Sequence, residues 1–378
     1  MKKLLITLPC KPDVLASLQD EFSDRYEMVF AQGDPEIIAR ELKTAEVVIG
    51  EPAPALLNTA EQLKWMQITW AGADRYTRDF PENVVLTNAS GAFGRIISEY
   101  TMGMILAQYK RLPEYYVNQK KRVWADCGTE KSLLNKRVLI LGTGNVGSSI
   151  AQKLHAFGTY NIGINRSGSC PEHFDECHPL EELDTYLPLA DIVIGALPRT
   201  PFTQGLFDYR RMRLIQKDAL LVNVGRGTMI VTKDLEKLLE EGHFSGVVLD
   251  VMDPEPLPET SSLWTCDRVL LTPHISGIGF GHEDATEATI WDICRENLRL
   301  YAAGKPLTHV VDVAAGYLTF QKPQNFFISA KKSSCILKRF LLICIASKHI
   351  CVCIDYMEYI RGLKHLLKTC SLSYAYRM

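Results

Sequence analysis

The sequence predicts an α/β protein with two parallel β-sheets, and three observations indicate this fold class. Short apolar runs alternate with amphipathic segments through residues 1–100, which is the strand and helix order of a parallel sheet with helices on both faces. The same alternation resumes at residue 138 and continues to residue 272. This second stretch begins with an apolar run that leads into three spaced glycines and then into an amphipathic helix.

The first predicted sheet contains five short apolar runs, at residues 4–8, 28–31, 47–49, 63–68 and 84–87, with helices at 14–22 and 35–42. Glycine-containing turns follow the last two runs, at residues 70–74 and 88–94. Turns beyond the ends of parallel strands are where α/β sheets bind ligands, so we expect ligand contacts in both. A long helix is predicted over residues 96–124, as a connector between the sheets or a dimer arm.

The second predicted sheet has strands at residues 138–141, 160–164, 192–197, 220–224, 247–251 and 269–272. A final helix over 283–303 ends at Gly304 and a Lys-Pro pair, which is a stop signal for a helix. We expect this helix to pack back on the first sheet. The predicted domains are therefore a discontinuous one over 1–99 and 284–317 and an inserted one over 100–283.

The glycine turn of the second sheet has the pattern of a dinucleotide-binding site. Gly142 permits a tight turn, Gly144 lets the main chain approach a pyrophosphate, and Gly147 lets the helix pack close to its strand. Phosphates can then lie on the free N–H groups at the helix start. The turn predicts a doubly wound Rossmann cofactor domain whose first contacts are Gly142, Thr143, Gly144, Asn145, Val146 and Gly147.

The end of the next strand favours NADP(H) over NAD(H). An NAD site has an acidic residue about 20 residues beyond the glycine turn, to bind the ribose 2′-hydroxyl. This chain has Asn165, Arg166 and Ser167 there, which supply a guanidinium and a hydroxyl for a 2′-phosphate and remove the repelling acid. Arg166 as a solvated loop residue is the alternative, and NAD(H) remains possible.

Three polar residues follow three successive strands of the second sheet. Arg226, Glu255 and His274 should meet at one crevice, because the carboxyl ends of parallel strands lie on the same edge. Together they suit reduction of a 2-keto acid, with a cation for the carboxylate, a proton donor for the carbonyl oxygen and an anion that keeps the histidine charged. Taken singly, each also fits a structural or solvated position, and Asp253 is a competing acid.

Five ordered motifs resemble the D-isomer-specific 2-hydroxyacid dehydrogenase family over residues 1–317. They are the glycine turn at 142–147, Leu-Pro-Arg-Thr-Pro at 197–201, Asn-Val-Gly-Arg-Gly at 223–227, Glu-Pro-Leu-Pro at 255–258 and Thr-Pro-His-Ile-Ser-Gly at 272–277. The spacing is similar to that of glyoxylate/hydroxypyruvate reductase-like members. Formate dehydrogenases of the family have Gln where this chain has Glu255, so the resemblance argues against formate.

The resemblance implies the residue roles. Arg226 would orient the substrate carboxylate, His274 would donate the proton, and Glu255 would hold His274 as the imidazolium. Further cofactor contacts would come from Leu197, Pro198, Thr203, Val224, Gly225, Asp250, His274 and Gly277, and substrate contacts from Ala71, Gly72, Ala73, Gly91, Arg226 and His274.

The resemblance also implies a two-domain enzyme with a flavodoxin-like substrate domain, which interconverts a small 2-keto acid and its D-2-hydroxy acid and forms a homodimer. Glyoxylate, hydroxypyruvate and branched 2-keto acids all stay open as substrates. Trp70, Phe93 and Arg95 stand where they could line the substrate pocket. A nicotinamide-sensing binding protein, such as a transcriptional corepressor of the same fold, is the alternative from another functional class.

Composition limits the remaining possibilities. The 378 residues are 47% hydrophobic and 23% charged, as in an ordinary soluble protein, and the first apolar run is too short for a signal-peptide core. Residues 1–317 hold 32 Lys and Arg against 42 Asp and Glu, so we expect no nucleic-acid partner. No CxxC pair occurs, and we expect no metal site, reduced thiols and a cytoplasmic location.

Residues 318–378 form an atypical tail without a counterpart in the family, with ten Lys and Arg against two acids and five of the eleven cysteines. Its apolar stretch 340–354 is interrupted by Lys348 and His349 and is shorter than the about 20 residues of a spanning helix. Three interpretations remain: a membrane-surface anchor, an extra packing element, or sequence never selected to fold. We favour the last and expect a poorly ordered tail and no membrane partner.

Overall fold

The structure is a computed structural model that describes residues 1–313 and 317–318. Apart from Leu318, the predicted tail at 318–378 lies outside the described residues. Within the described ranges, no helix is both long enough and apolar enough to cross a bilayer.

Residues 2–87 form a five-stranded parallel sheet with strands β1 (Lys2–Ile6), β2 (Tyr26–Phe30), β3 (Val47–Ile49), β4 (Trp65–Gln67) and β5 (Val85–Thr87). Its strand order, β2-β1-β3-β4-β5, is the flavodoxin-like order. Helix α1 (Pro12–Phe22) follows β1, and helix α2 (Pro35–Glu41) follows β2. Both helices begin with a proline. Proline has no main-chain N–H, and this costs nothing in the first turn because N–H groups there have no acceptor within the helix.

Two helices, α3 (Gly94–Tyr109) and α4 (Leu112–Lys121), lead to the second sheet. The prediction of one helix over 96–124 was wrong. Arg111 adopts a left-handed φ of 56°, and Pro113 follows it, so the chain turns between the two helices. A proline at 113 has no N–H to donate to residue 109 and its ring would clash with that carbonyl, which ends α3.

Residues 137–271 form a seven-stranded parallel sheet with strands β6 (Arg137–Leu141), β7 (Tyr160–Asn165), β8 (Glu176–Pro179), β9 (Ile192–Gly195), β10 (Leu220–Asn223), β11 (Gly246–Leu249) and β12 (Val269–Leu271). Its helices are α5 (Asn145–Ala156), α6 (Leu183–Tyr186), α7 (Tyr209–Leu214) and α8 (Thr232–Glu240). The order β12-β11-β10-β9-β6-β7-β8 is the doubly wound Rossmann order with one additional strand. The predicted α/β fold class is confirmed, and the order reverses between β6 and β9, where such sheets bind ligands.

The last long helix, α9 (Asp284–Ala302), returns to the first sheet. Its buried residues Ile290, Trp291 and Leu298 share a core cluster with Leu4 and Trp65 of β1 and β4. A short antiparallel pair, β13 (Val311–Asp312) and β14 (Tyr317–Leu318), follows. The domain of the first sheet is therefore formed by two segments of the chain, one before and one after the second sheet in the sequence.

Buried polar contacts attach α9 to that sheet. The Asn297 side chain donates to Gln67 Oε1 (2.9 Å) and accepts from the Thr308 main-chain N–H (2.8 Å), and the Tyr26 hydroxyl donates to the Leu298 carbonyl (2.9 Å). Because buried polar groups without partners are costly, these bonds favour one position of α9 on the sheet.

Candidate active site

A cavity of about 550 Å³ lies where loops of both sheets meet. The loop after β4, the start of α3, the loops after β10, β11 and β12, and α9 all contribute to its wall. Its lining residues are Thr69, Trp70, Ala71, Gly72, Asp74, Arg75, Phe93, Ile97, Val224, Arg226, Glu255, His274, Ser276, Gly277, Ile278, Gly279, Phe280 and Ile290.

The guanidinium of Arg226 reaches across to the loop of the first sheet. Its Nε donates to Asp74 Oδ2 at 2.6 Å, and its Nη1 donates to the Gly225 carbonyl at 2.9 Å. A Cβ atom on Gly72 would lie 1.5 Å from Arg226 Nη2, so a side chain at position 72 would displace this guanidinium. The contacts fix the plane of the guanidinium while its Nη edge remains at the cavity wall.

His274 and Glu255 form a hydrogen-bonded pair on the same wall, with His274 Nδ1 2.9 Å from Glu255 Oε2. The second carboxylate oxygen of Glu255 accepts from the Met252 main-chain N–H at 2.9 Å, which fixes the carboxylate. The bond to Nδ1 leaves Nε2 as the ring nitrogen that can exchange a proton with a bound molecule. The half-exposed side chains, 49% and 36%, are accessible from the cavity.

Asp250 holds the loop that carries His274. This buried carboxylate accepts from the main-chain N–H groups of Ile275 and Ser276, each at 2.9 Å, and from the Thr272 hydroxyl at 2.6 Å. The loop needs such support because His274 has a left-handed φ of 57°, which few non-glycine residues adopt.

The Asp250 network extends to α3. Because the Thr272 hydroxyl donates to Asp250, it accepts from the Tyr100 hydroxyl, 2.5 Å away. Burial raises the pKa of Tyr100 to about 12, so this phenol stays protonated and remains a donor. These hydrogen bonds connect the histidine loop to α3, the helix that carries Tyr100.

Glu51, which follows β3, supports the opposite side of the cavity by binding Thr69 at the start of the loop after β4. Its Oε1 accepts from the main-chain N–H of Thr69 at 2.6 Å and from its hydroxyl at 2.8 Å. Burial raises the pKa of Glu51, although the two bonds from Thr69 oppose the shift. The loop at 69–75 is thus fixed at one end by Glu51 and further along by the Arg226 ion pair.

The glycine turn fits a bound pyrophosphate. Gly142 has φ 99°, and a Cβ atom on Gly147 would lie 1.8 Å from the Gly142 carbonyl oxygen, so neither position accepts a side chain. Gly144 caps α5, and a Cβ atom there would meet nothing within 4 Å, which is the open space that a phosphate needs. No side chain caps this end of α5, so its first N–H groups can bind an anion.

The loop after β7 is organised by Asn165. Its amide donates to the Thr143 hydroxyl at 2.9 Å and to the Ser169 carbonyl at 2.7 Å, while its oxygen accepts from the main-chain N–H groups of Ser167 and Gly168. Arg166 and Ser167 are exposed on this loop. Asn165 therefore joins the loop to the glycine turn, and the end of β7 has no acidic side chain.

A family model described as "D-isomer specific 2-hydroxyacid dehydrogenase, NAD binding domain" matches residues 102–276. The chain is also similar to the solved structure of a D-isomer specific 2-hydroxyacid dehydrogenase family protein from Aeromonas salmonicida subsp. salmonicida. The two are 31% identical, with a TM-score of 0.75, and the match covers 82% of this chain and 99% of that chain. The chain belongs to the D-isomer specific 2-hydroxyacid dehydrogenase family.

Two further members of this family are similar to the chain. One is the solved structure of an NADPH-dependent glyoxylate/hydroxypyruvate reductase from Sinorhizobium meliloti in complex with NADP and sulfate. It is 27% identical, with a TM-score of 0.72, and the match covers 84% of this chain and 100% of that chain. The other is glyoxylate/hydroxypyruvate reductase A from Serratia proteamaculans, which is 29% identical over 279 residues, 71% of this chain and 87% of the relative.

The structure brings some residues predicted from the 2-hydroxyacid dehydrogenase resemblance to the cavity and places others behind it. Those that line the cavity are Ala71, Gly72, Val224, Arg226, Glu255, His274 and Gly277. Ala73 is a buried residue of the same loop as Ala71 and Gly72, and Asp250 is buried and binds the main chain of the histidine loop. The loop of Gly91 lies against residues 70–71, since Asn88 donates to the Ala71 carbonyl at 2.6 Å and the Ala89 N–H donates to that of Trp70 at 2.9 Å.

Leu197, Pro198 and Thr203 shape a neighbouring turn after β9. The Thr203 hydroxyl donates to the Pro198 carbonyl at 2.7 Å and accepts from the Thr200 main-chain N–H at 2.8 Å. A Cβ atom on Gly225 would lie 2.7 Å from the Leu197 carbonyl oxygen. A Cβ atom on Gly142 would likewise lie 2.7 Å from the Ala196 carbonyl oxygen, so the chain after β9 packs against both Gly225 and the glycine turn of β6.

Sequence reasoning missed Asp74 and misplaced Arg95. Asp74 belongs to a predicted turn, but nothing in the pattern indicates that it pairs with Arg226, 152 residues away. Trp70 and Phe93 line the cavity as expected. Arg95 instead belongs to α3 and pairs with Glu283, the residue that caps α9. The sequence placed Arg95 where it could line the substrate pocket, and the ion pair depends on the return of α9 to the first sheet.

Proposed function

We propose that this protein is an NAD(P)H-dependent oxidoreductase that reduces a small 2-keto acid of the glyoxylate/hydroxypyruvate or branched type to the D-2-hydroxy acid. The observation that carries the proposal is the convergence of Arg226 with the His274–Glu255 pair on one cavity. In the balanced reaction, a 2-keto acid, a reduced nicotinamide that supplies hydride when bound, and a proton give the hydroxy acid and the oxidised nicotinamide.

Each side chain has one role in this mechanism. The Nη edge of Arg226 binds the substrate carboxylate and polarises the keto oxygen, while Asp74 holds the guanidinium in plane. His274 donates the proton from Nε2 to the keto oxygen as the alkoxide charge develops. Glu255, on Nδ1, stabilises the imidazolium before the transfer and fixes the ring orientation.

NADP(H) is the proposed cofactor, with NAD(H) as a weaker substitute. The glycine turn and the first turn of α5 would hold the pyrophosphate, and Arg166 with Ser167 would bind the 2′-phosphate. Asn165, at the position of the usual acid, presents its amide to the glycine turn and so brings no negative charge to the 2′ position. The Sinorhizobium meliloti relative, described as NADPH-dependent, supports this choice.

A panel of glyoxylate, hydroxypyruvate and branched 2-keto acids, assayed with NADPH and NADH by loss of nicotinamide absorbance, tests the activity and the cofactor together. We expect reduction of at least one acid, with the higher kcat/KM for NADPH.

In Arg166→Ala the ratio of kcat/KM for NADPH over NADH should fall about 10-fold or more, because a charge-assisted bond to phosphate contributes roughly 1.5–3 kcal/mol. Arg210→Ala, at an exposed arginine of the same sheet domain, is the matched control. Absence of any reduction contradicts the activity, and an unchanged ratio contradicts the cofactor assignment.

We also propose a homodimer that forms through α4 and the segment after it. Several large apolar side chains are exposed there: Leu112, Tyr116, Val117, Val123 and Trp124, of which Trp124 is fully accessible. A group of exposed apolar side chains usually marks an interface with another protein chain. A second copy that covers them would bury this surface. Light scattering of Val117→Asp should show a shift from dimer to monomer, whereas Leu189→Asp, at an exposed leucine elsewhere, should leave the dimer intact. A wild-type monomer would contradict the proposal.

A further inference from the structure

The cavity contains a second guanidinium that the proposed mechanism does not use. Arg75 lines it together with Arg226, and the two approach from different sheets, Arg75 on the loop after β4 and Arg226 after β10. The guanidinium carbon of Arg75 lies 6.0 Å from the ring centroid of Trp70, another lining residue. This distance is at the outer limit of a cation–π contact, which positions the arginine without neutralising it.

No carboxylate among the described residues lies within ion-pair distance of Arg75. Arg226 has Asp74, and Arg95 has Glu283 and Glu99. The charge of Arg75 does reach Glu51, whose pKa it lowers in opposition to burial, yet Glu51 accepts its hydrogen bonds from Thr69. Arg75 is exposed, so its guanidinium is accessible at the cavity wall, where a cation without an ion-pair partner attracts an anionic group of a ligand.

The cavity is also larger than a two-carbon acid needs. Its 550 Å³ is within the usual range for sites that hold drug-sized ligands, so a longer substrate fits beside a nicotinamide ring. Arg226 Nη2 lies against Gly72, and the Arg75 guanidinium lies beside the ring of Trp70, two residues before Gly72 on the same loop, so both cations are next to the stretch 70–72 of the cavity wall. A ligand with an anionic group at each end then has one cation of the cavity wall available for each of them.

We propose that Arg75 binds a distal carboxylate, so that 2-keto dicarboxylic acids of four or five carbons are preferred over monocarboxylic acids of equal length. The inference rests on the proposed 2-keto acid reductase function. Arg226 binds the carboxylate next to the keto group, and Arg75 binds the one at the other end. Trp70 contributes the apolar surface beside the connecting methylene groups.

The test compares 2-oxoglutarate with 2-oxopentanoate, which has a methyl group in place of the distal carboxylate. The specificity ratio is kcat/KM for the first over kcat/KM for the second, with the same nicotinamide. In wild type we expect a ratio above one. In Arg75→Gln it should fall about 10- to 100-fold, as expected for a lost charge-assisted bond, mainly through KM for 2-oxoglutarate. Arg75→Lys should retain part of the preference.

Arg78→Gln is the matched control, because Arg78 is an exposed arginine three residues away that lines only a smaller neighbouring cavity. Arg78→Gln removes the same net charge and should leave the specificity ratio unchanged. KM for the nicotinamide should be unchanged in every variant. A wild-type ratio below one, or equal ratios in wild type and Arg75→Gln, overturns the inference while glyoxylate reduction still supports the proposed function. If no 2-keto acid is reduced, the proposed function and the inference are both wrong.

Discussion

Replacing His274 with asparagine is expected to lower kcat for 2-keto acid reduction by about 10²- to 10⁴-fold, the usual contribution of a general acid. Asparagine cannot donate a proton at the required pKa, but it tolerates the left-handed backbone that His274 adopts, with φ 57°. The loop held by Asp250 should therefore keep its shape, and the loss should report on proton transfer. Steady-state kinetics with saturating nicotinamide measures the effect.

Binding of the nicotinamide separates a catalytic from a structural role for His274. Fluorescence titration with NADPH should give nearly the same Kd for His274→Asn as for wild type, because the glycine turn lies on a different loop. His282→Asn, at an exposed histidine outside the cavity lining, is the matched control and should retain full activity. Equal losses of binding and turnover in His274→Asn would falsify the assigned role.

The second large effect is expected at Arg226. Arg226→Gln should lower kcat/KM for a 2-keto acid by about 10²- to 10⁴-fold, since two charge-assisted bonds to a carboxylate contribute roughly 3–6 kcal/mol together. Arg226→Lys should recover little of this loss, because an ammonium group cannot bind the carboxylate in the bidentate manner of a guanidinium. The loss should appear with every 2-keto acid of the panel, in contrast to the selective effect at Arg75.

Asp74→Asn distinguishes positioning from binding at this site. It keeps the guanidinium but weakens the 2.6 Å contact that holds it, so kcat/KM should fall by less than in Arg226→Gln. Arg211→Gln, which removes a partly buried arginine paired with Asp184 outside the cavity, controls for the loss of an ion pair as such. If it reduced kcat/KM as strongly as Arg226→Gln, the assignment of substrate binding to Arg226 would be wrong.

Local pattern predicted much of the fold because each strand is a short apolar run and each turn contains a specific residue type. The apolar runs predicted β3 at 47–49, and the glycine spacing located the turn at 142–147, where positions 142 and 147 both require glycine sterically. It also predicted that Arg226, Glu255 and His274 lie at strand ends, since parallel strands end on one edge. These features depend on contacts that are near in sequence or imposed by the sheet.

Features that depend on pairs of distant residues were not predictable in this way. The ion pair of Asp74 with Arg226 requires the separation and orientation of two sheets, which no periodicity describes. The break between α3 and α4 depends on a left-handed residue before Pro113, and a helical repeat alone does not reveal it. Asp250 contacts main-chain N–H groups, and these are present at every residue other than proline, so they give no sequence signal.

The double attachment of Asn165 has a consequence for engineering or evolving cofactor choice. Aspartate at position 165 is the obvious route from NADP to NAD, yet it would face the Ser169 carbonyl oxygen, now 2.7 Å from the amide nitrogen, with a second oxygen acceptor. The Thr143 hydroxyl can rotate and donate, but a carbonyl has no proton to offer. Aspartate at position 165 alone would therefore lose the bond that holds Ser169, so we expect a change of coenzyme to require a compensating substitution in the turn at 166–169.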